Sequence, residues 1–289
     1  MSMDIEKKIR DRYPSLEWEK TIKIEDGWDH DVLLLDDRYV ARIPKNDGAK
    51  TRAAIDFSLL ALLEKKVSAS IPHPIAQDTE TEIVIYSFVS GIQISESIYK
   101  NFHLHEKKSF ERNISTFLDE IHHVPVEEVQ ACAVPEKTTE HHLEELRKDT
   151  DFIQPFLSPQ EKERVTSFMS KRESLLSKKY QTLIHGDLTA ENIFIKKDEP
   201  DYLGIIDFSD AVISDPAKDI SALFAFGEGC VQAVLKHYPT KDVNMYERAL
   251  AYYQDMAITL FALAYRNSTF ITKPEAKQVL TERFKIKTA

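Results

Sequence analysis

Residues 184–192 read IHGDLTAEN, and residues 203–208 read LGIIDF. The first stretch places Asn192 five residues after Asp187, and the second ends an apolar run on Asp207. An accidental turn followed by a buried strand is the simplest interpretation of such a pattern. The alternative interpretation is a catalytic site. The rest of the sequence must distinguish between the two.

Phosphoryl transfer from a nucleotide uses a small set of parts that this pattern can supply. A carboxylate must orient the acceptor hydroxyl and take its proton, and oxygen ligands must hold Mg²⁺ against the phosphates. A cation must also hold the phosphates, and a backbone loop must cover them. The spacing around Asp187, Asn192 and Asp207 is compatible with the first two requirements.

Bulk composition excludes some classes of partner. The chain has 289 residues, 42% hydrophobic and 30% charged, with a formal net charge of −10. That charge disfavours nucleic acid or an anionic membrane as the main partner, because both attract basic patches. A small molecule is the expected partner, and the oligomeric state stays open, with a monomer slightly favoured.

Cysteine usage and hydropathy predict a cytoplasmic protein. The two cysteines form no CxxC pair, so a disulfide framework is not expected. The N-terminus MSMDIEKKIRDRYP contains no apolar stretch of signal-peptide length, and no run approaches a membrane span.

Local patterns divide the chain at about residue 90. Strand-like runs, a helix at 51–65 and a Pro-rich extended segment at 71–75 predict β-β-β-α-β for residues 1–90. The predicted strands are 21–25, 31–36, 38–44 and 82–88. Residues 91–289 are mainly helical by the same criteria, after a hinge at about 87–91. The predicted helices are 106–123, 136–149, 159–180, 217–238, 244–266 and 274–285.

The motif region resembles a known family. HGD, an Asn five residues on, IDFS and the following DPAKD resemble the aminoglycoside and macrolide antibiotic phosphotransferases. This resemblance implies an α+β, bilobal, protein-kinase-like fold with a small antiparallel-sheet N-lobe and a larger helical C-lobe. It implies Asp187 as the catalytic carboxylate, and Asn192 and Asp207 as Mg²⁺ ligands. Structural support of the catalytic loop is implied for His185, Asp215 and Asp219, although Asp215-Pro216 is equally typical of a helix start.

By the same resemblance, the N-lobe holds the phosphates of ATP or GTP. The turn EDGWDHD resembles the phosphate-covering loop, with Gly27 as its glycine. Arg42 occupies the third-strand position that is usually Lys, and Asp56 the helix position that is usually Glu. A longer cation and a shorter carboxylate preserve the reach of the pair, and Arg forks well onto phosphate oxygens. Lys45 is the rival cation.

The strand and hinge segment EIVIYSFVSG resembles the part that receives the base. Ser87 and Val89 are expected to present backbone groups to it, and Tyr86 to lie behind it. A bulky aromatic side chain there disfavours adenine and favours guanine, unless Tyr86 is simply a core residue.

The acceptor pocket is the least specific part of the sequence. Glu191 and Asp210 flank the catalytic residues, and acidic groups there suit a polycationic aminoglycoside. The tail helix at 255–270 is apolar and aromatic after Asp255, which favours a macrolide, unless these helices are only core.

Three functions therefore remain open. The leading one is a small-molecule kinase that transfers the γ-phosphate of ATP or GTP to a hydroxyl of an aminoglycoside-type or macrolide-type antibiotic. The second keeps the chemistry but takes a metabolite such as choline, homoserine or a sugar. The third is a nucleotide-binding module without catalysis.

Overall fold

A five-stranded antiparallel sheet forms the first part of the molecule. The structure is a computed structural model that describes residues 2–24, 30–78, 83–175, 180–239, 244–266 and 269–286. The sheet order is β1-β2-β3-β5-β4. Its strands are β1 (Thr21–Ile24), β2 (His30–Leu35), β3 (Tyr39–Pro44), β4 (Pro74–Gln77) and β5 (Val84–Ser87). Helix α1 (Ser2–Arg12) precedes the sheet, and α2 (Asp47–Leu63) connects β3 to β4.

Alternation along the strands gives the sheet two different faces. Leu33, Leu35 and Ala41 are buried in a small core with Ile9 of α1 and Trp18. The residues between them, including Val32, Leu34, Val40 and Arg42, line a cavity on the opposite face. Successive side chains of a strand point to opposite faces of the sheet. Apolar residues on one face therefore form the core, and those on the other face line the cavity.

Two local features differ from the sequence prediction. The segment predicted as merely extended at 71–75 continues into β4, an edge strand that begins at Pro74. An edge position is where proline is tolerated in a sheet, since it has no N–H to donate. Helix α2 begins at Asp47 rather than 51, because the Asn46 side chain accepts a hydrogen bond from Ala49 N–H at 2.8 Å.

Helices dominate the described residues after β5. They are α3 (Glu96–Lys100), α4 (Leu104–His122), α5 (Val126–Ala131), α6 (Thr139–Ile153), α7 (Pro159–Leu175), α8 (Ala217–Ala222), α9 (Glu228–His237), α10 (Met245–Tyr265) and α11 (Lys273–Arg283). The prediction of a single helix at 217–238 is wrong. The segment is two helices separated by a 3₁₀ turn and by Gly227, whose φ of +97° ends the turn in a conformation that favours glycine.

Short strands position the motif of residues 184–208. Strand β7 (Thr182–Ile184) pairs with β10 (Val212–Ser214), and β8 (Ile193–Lys196) pairs with β6 (Ile92–Gln93) and β9 (Glu199–Ile205). The HGD turn follows β7, and Asp207 follows β9. A sheet-rich part and a helical part are therefore both present, which confirms the predicted fold class. The division at residue 90 and the hinge at 87–91 stay predictions.

Within the described ranges, every helix is too short or too polar to cross a membrane.

Candidate active site

The carboxylate of Asp219 holds the HGD turn in place. It accepts hydrogen bonds from His185 N–H at 2.8 Å and Gly186 N–H at 2.9 Å. His122 Nε2 lies 3.1 Å from the same carboxylate. Burial alone would raise the pKa of Asp219, but the hydrogen bonds and charges of His122 and His185 hold it below its ordinary value. Asp219 is thus an ionised anchor under the loop.

His185 and Gly186 determine the shape of the turn. His185 is fully buried, its Nδ1 accepts from Asp187 N–H at 3.3 Å, and its Nε2 lies 3.1 Å from the Ile206 carbonyl oxygen. Gly186 has a φ of +83°, and a Cβ there would lie 2.1 Å from the Asp210 carbonyl oxygen. Only glycine fits such a close approach in that conformation.

Asp187 and Asn192 form one polar unit. Asn192 Nδ2 donates to both the carbonyl oxygen and Oδ2 of Asp187, each at 2.9 Å. Ile206 N–H donates to the Asn192 carbonyl oxygen at 3.0 Å, which ties this unit to the chain just before Asp207. Burial, with the charges of Asp210 and Asp207, raises the pKa of Asp187. A carboxylate whose pKa is shifted upward is better matched to taking a proton near neutral pH.

The pKa of Asp207 is shifted downward, in the opposite direction to that of Asp187. Its backbone is left-handed, with a φ of +65°. Its Oδ1 accepts from Ser209 Oγ at 2.7 Å and lies 2.9 Å from Arg42 Nη2. Burial works against ionisation, but the charge of Arg42 and these hydrogen bonds lower the pKa of Asp207 to about 2. Asp207 is therefore an anion at neutral pH.

Arg42 bridges two carboxylates. Besides Asp207, its Nη1 lies 3.5 Å from Asp56 Oδ2, so the ion pair expected between Arg42 and Asp56 is present. Tyr86 donates its hydroxyl to the same Asp56 oxygen at 2.8 Å. Asp56 is 2% exposed, and burial raises its pKa against the influence of Arg42.

A cavity of about 280 Å³ opens beside this cluster. Its walls are mainly apolar residues of β2, β3 and the helical part, including Leu34, Val40 and Phe194. Arg42, Asp56 and Asp207 lie at its polar end. A cavity that is apolar at one end and charged at the other fits a base and its phosphates.

Several residues predicted to bind nucleotide line this cavity. Tyr86, Ser87 and Val89 are among them. The Ser87 N–H already donates to the His73 carbonyl oxygen at 2.9 Å, so that group is not available to a base. Lys45 lies 3.4 Å from Asp31 and is not one of the described residues that line the cavity. Gly27 lies outside the described residues.

The donor set fits Mg²⁺. Among the described residues, all hydrogen bonds and ion pairs of the Asp207 side chain use Oδ1. Among the described residues, the Asn192 side chain makes hydrogen bonds only through its Nδ2 group, which donates to Asp187. One carboxylate oxygen and one amide oxygen are left over, and Mg²⁺ favours a few protein oxygens completed by phosphate and water.

Asp187 also lines a second cavity, of about 240 Å³, on the side of the helical part. It is bounded by the HGD turn, α8, α10 and the end of α11. The described lining residues with polar or aromatic side chains are His142, Asp187, Thr189, Lys218, Ser221, Tyr252, Tyr253, Asp255, Thr259 and Arg283. Glu191 and Asp210 are exposed, and neither is among them. The acceptor role predicted for these two residues gains no support from this cavity.

Sequence reasoning missed the charged residues of this second cavity. Asp255 is buried and is held by Arg172, with Nη2 at 2.8 Å and Nε at 2.9 Å, and by His142 Nε2 at 2.9 Å. An aspartate and an arginine inside amphipathic helices are the only signals of this contact in the sequence. Neither signal identifies the partner, because α10 is far along the chain from both α6 and α7.

Asp215 serves both purposes considered from the sequence. It accepts from Ala217 N–H at 3.0 Å, as expected at a helix start, and it pairs with the buried Arg248 at 2.9 Å. The pair lies between the segment after β10 and α10. It therefore joins the motif segment to the helical core.

Comparison with known proteins places the chain in a family. A family model described as "Phosphotransferase enzyme family" matches residues 20–254. The GDP complex of wild-type aminoglycoside 2'-phosphotransferase-IIIa is similar at 22% identity, with 98% of each chain covered and a TM-score of 0.87. The ADP-bound aminoglycoside phosphotransferase APH(2'')-Ib is similar at 20% identity, covering 98% of this chain and 97% of that one, with a TM-score of 0.73.

A third similar structure is the apoenzyme of macrolide 2'-phosphotransferase MphH from Brachybacterium faecium. The identity is 16%, with 99% of each chain covered and a TM-score of 0.72. At these identities the structures establish the fold, and the family model covers most of the chain. Together with a phosphotransferase-type motif whose residues converge between two cavities, these matches show that the chain is an enzyme of the phosphotransferase family named by that model.

Proposed function

We propose that the protein is a small-molecule kinase that transfers the γ-phosphate of ATP or GTP to a hydroxyl group. One observation carries the proposal: residues of a single polar cluster line both cavities. Asp187 lines the cavity on the helical side, Asp207 and Arg42 line the cavity under the sheet, and Asn192 lies between them. A hydroxyl in one cavity and a triphosphate in the other would face each other across this cluster.

Each residue then has a distinct role. Asp187 orients the acceptor hydroxyl and takes its proton, because it is the carboxylate of the cluster that faces the helical cavity. Arg42 holds phosphate oxygens through its planar fork, and Asp56 and Tyr86 hold Arg42. Asn192 and Asp207 would hold Mg²⁺, which when bound neutralises charge on the phosphates.

The donor nucleotide is ATP or GTP. Two of the similar structures are a GDP complex and an ADP complex, so the fold accepts both bases. Tyr86 is 2% exposed and its hydroxyl is committed to Asp56. We therefore assign Tyr86 to the support of Arg42 rather than to selection of guanine.

Two classes of acceptor have support. The names of the similar structures favour a hydroxyl of an aminoglycoside or a macrolide. The lining of the helical cavity favours a metabolite alcohol, because it includes Lys218 and Arg283 and, among the described residues, Asp187 is its only carboxylate without a cation partner. A non-catalytic module is the least supported alternative, since Asp187 faces a cavity of substrate size.

The direct test is nucleotide consumption by the purified chain with Mg²⁺ and either ATP or GTP. The acceptor panel should contain aminoglycosides, macrolides, choline, homoserine and neutral and anionic sugars. We expect acceptor-dependent consumption with one donor and one class of acceptor. Tight binding of Mg²⁺-nucleotide without turnover for any acceptor would instead favour the non-catalytic module.

Arg42 offers a prediction about the donor site. Arg42→Lys should weaken nucleotide binding by about tenfold, because Lys keeps the charge but loses the fork and the second carboxylate contact. Arg42→Ala should weaken it further and also lower stability, since Asp56 would be left buried without its cation. Titration with a fluorescent ATP or GTP analogue measures the first effect.

Lys45→Ala is the matched control for that titration, because Lys45 pairs with Asp31 outside the described cavity lining. If Lys45→Ala weakened binding more than Arg42→Ala, the cation role would belong to Lys45.

A further inference from the structure

Two cations face the helical cavity without a carboxylate partner. Lys218 lies on α8 next to Asp219, and Arg283 is the last residue of α11. Among the described residues, no carboxylate oxygen lies within the 4.0 Å of an ion pair from either side chain. Arg283 Nη1 donates to the Tyr253 carbonyl oxygen at 2.8 Å, and its guanidinium packs 4.0 Å from the Tyr253 ring centroid. These contacts position Arg283, and Glu282 acts on its charge only from beyond ion-pair distance.

The carboxylates of this cavity are already compensated or reserved. Asp255 is neutralised by Arg172 and His142. Asp187 accepts from Asn192 and is the proposed base. Asp219 acts on Lys218 from farther away but is committed to the backbone of the HGD turn. Among the described lining residues, Lys218 and Arg283 are therefore the two cations without a carboxylate at ion-pair distance, and Asp187 is the one carboxylate that no cation pairs with.

Burying a cation without a partner costs free energy. Burial lowers the pKa of both Lys218 and Arg283, although Asp219, Asp210 and Asp187 act in the opposite direction on Lys218. A bound anion would provide the missing partner and recover that cost. Binding of a polycation would be disfavoured, because its ammonium groups would lose their hydration and approach two like charges.

We propose that the acceptor of this enzyme is a hydroxylated small molecule that carries an anionic group, carboxylate or phosphate, held by Lys218 and Arg283. The proposal rests on the kinase function proposed above and specifies the substrate class of the same cavity. Lys218 and Arg283 fix the anionic end, and the hydroxyl is presented to Asp187. An aminoglycoside is disfavoured because its ammonium groups would face the two cations.

The test is equilibrium binding to the full chain, with the nucleotide site filled by Mg²⁺ and a non-hydrolysable ATP or GTP analogue. The probes share one sugar scaffold and differ in charge: glucose 6-phosphate, glucuronate, glucose and glucosamine, with neamine as a polycation. The two anions separate phosphate from carboxylate. Isothermal titration calorimetry measures each dissociation constant.

We expect at least one anion to bind about tenfold or more tightly than glucose, glucosamine and neamine. Lys218→Gln should remove about tenfold of that affinity, and Lys218→Arg should retain most of it. Arg283→Gln should act like Lys218→Gln, with Arg283→Lys as its control for lost packing on Tyr253. Lys148→Gln removes an exposed lysine paired with Glu144 and should change nothing.

Tighter binding of neamine or glucosamine than of both anions would overturn the proposal. Unchanged anion affinity in Lys218→Gln and Arg283→Gln would also overturn it, as would the absence of binding by both anions. Failure of the kinase function gives a different result, namely charge-dependent anion binding without consumption of nucleotide for any acceptor. Turnover of an aminoglycoside without anion binding would support the kinase function and reject only the substrate class.

Discussion

Asp187→Asn should lower the rate of phosphoryl transfer by roughly 10²–10⁴-fold, the usual contribution of a positioned general base. The amide can still accept from Asn192 Nδ2, which bonds to the carbonyl oxygen and Oδ2 of Asp187. It cannot take a proton from the acceptor. Because Asp187 lines the helical cavity and not the described walls of the nucleotide cavity, donor affinity should stay within a few-fold.

The measurement is kcat with the best acceptor of the panel, together with the dissociation constant of Mg²⁺-nucleotide. Asp198→Asn is the matched control, since it makes the same change in charge at an exposed residue in the turn between β8 and β9. We expect the control to retain most of the activity. Unchanged kcat in Asp187→Asn would show that another group takes the proton.

Arg248→Met should have the largest effect on stability. Arg248 and Asp215 are both buried, with Nε to Oδ2 at 2.9 Å and Nη2 to Oδ1 at 3.3 Å. Removing the cation leaves the Asp215 carboxylate buried without its partner, which typically costs about 3–5 kcal/mol. The Arg248 guanidinium also packs 3.8 Å from the Tyr180 ring centroid, so packing is lost as well.

Urea unfolding measures this loss through the midpoint and slope of the transition. The double variant Asp215→Asn/Arg248→Met tests the cause. Asparagine retains an acceptor for Ala217 N–H but carries no charge, so the double variant should be more stable than Arg248→Met alone. If the double variant were equally unstable, lost packing rather than the uncompensated charge would explain the effect.

The local part of the site could be predicted because its residues are close in sequence. Asp187 and Asn192 are five residues apart and meet through one 3₁₀ turn. Asp207 follows strand β9, which pairs with the strand after Asn192. The contact between Arg42 and Asp56 was expected from the family resemblance, which places the pair on the third strand and the next helix. Such contacts join elements that follow one another along the chain, so local patterns are sufficient to suggest them.

Other features depend on pairs of residues that are far apart in sequence. Lys218 and Arg283 face one cavity although 65 residues separate them, and Arg172 reaches Asp255 across 83 residues. In each case the sequence displays only a charged residue in a helix, which is usually a solvated surface position. Glu191 and Asp210 were predicted to bind the acceptor because they flank the motif in sequence. Neither residue is among the described residues that line the helical cavity.

The sequence by itself, through local patterns and the family that its motif resembles, indicated the α+β fold class and the cluster around Asp187, Asn192 and Asp207. These depend on alternation, turn residues and short spacings, which act over a few residues. Only the tertiary structure decided which charges are compensated. It pairs Asp255 with Arg172 and His142, and it leaves Lys218 and Arg283 facing the cavity. The physical reason is that compensation requires two groups to lie within a few ångströms, and helix packing sets that distance.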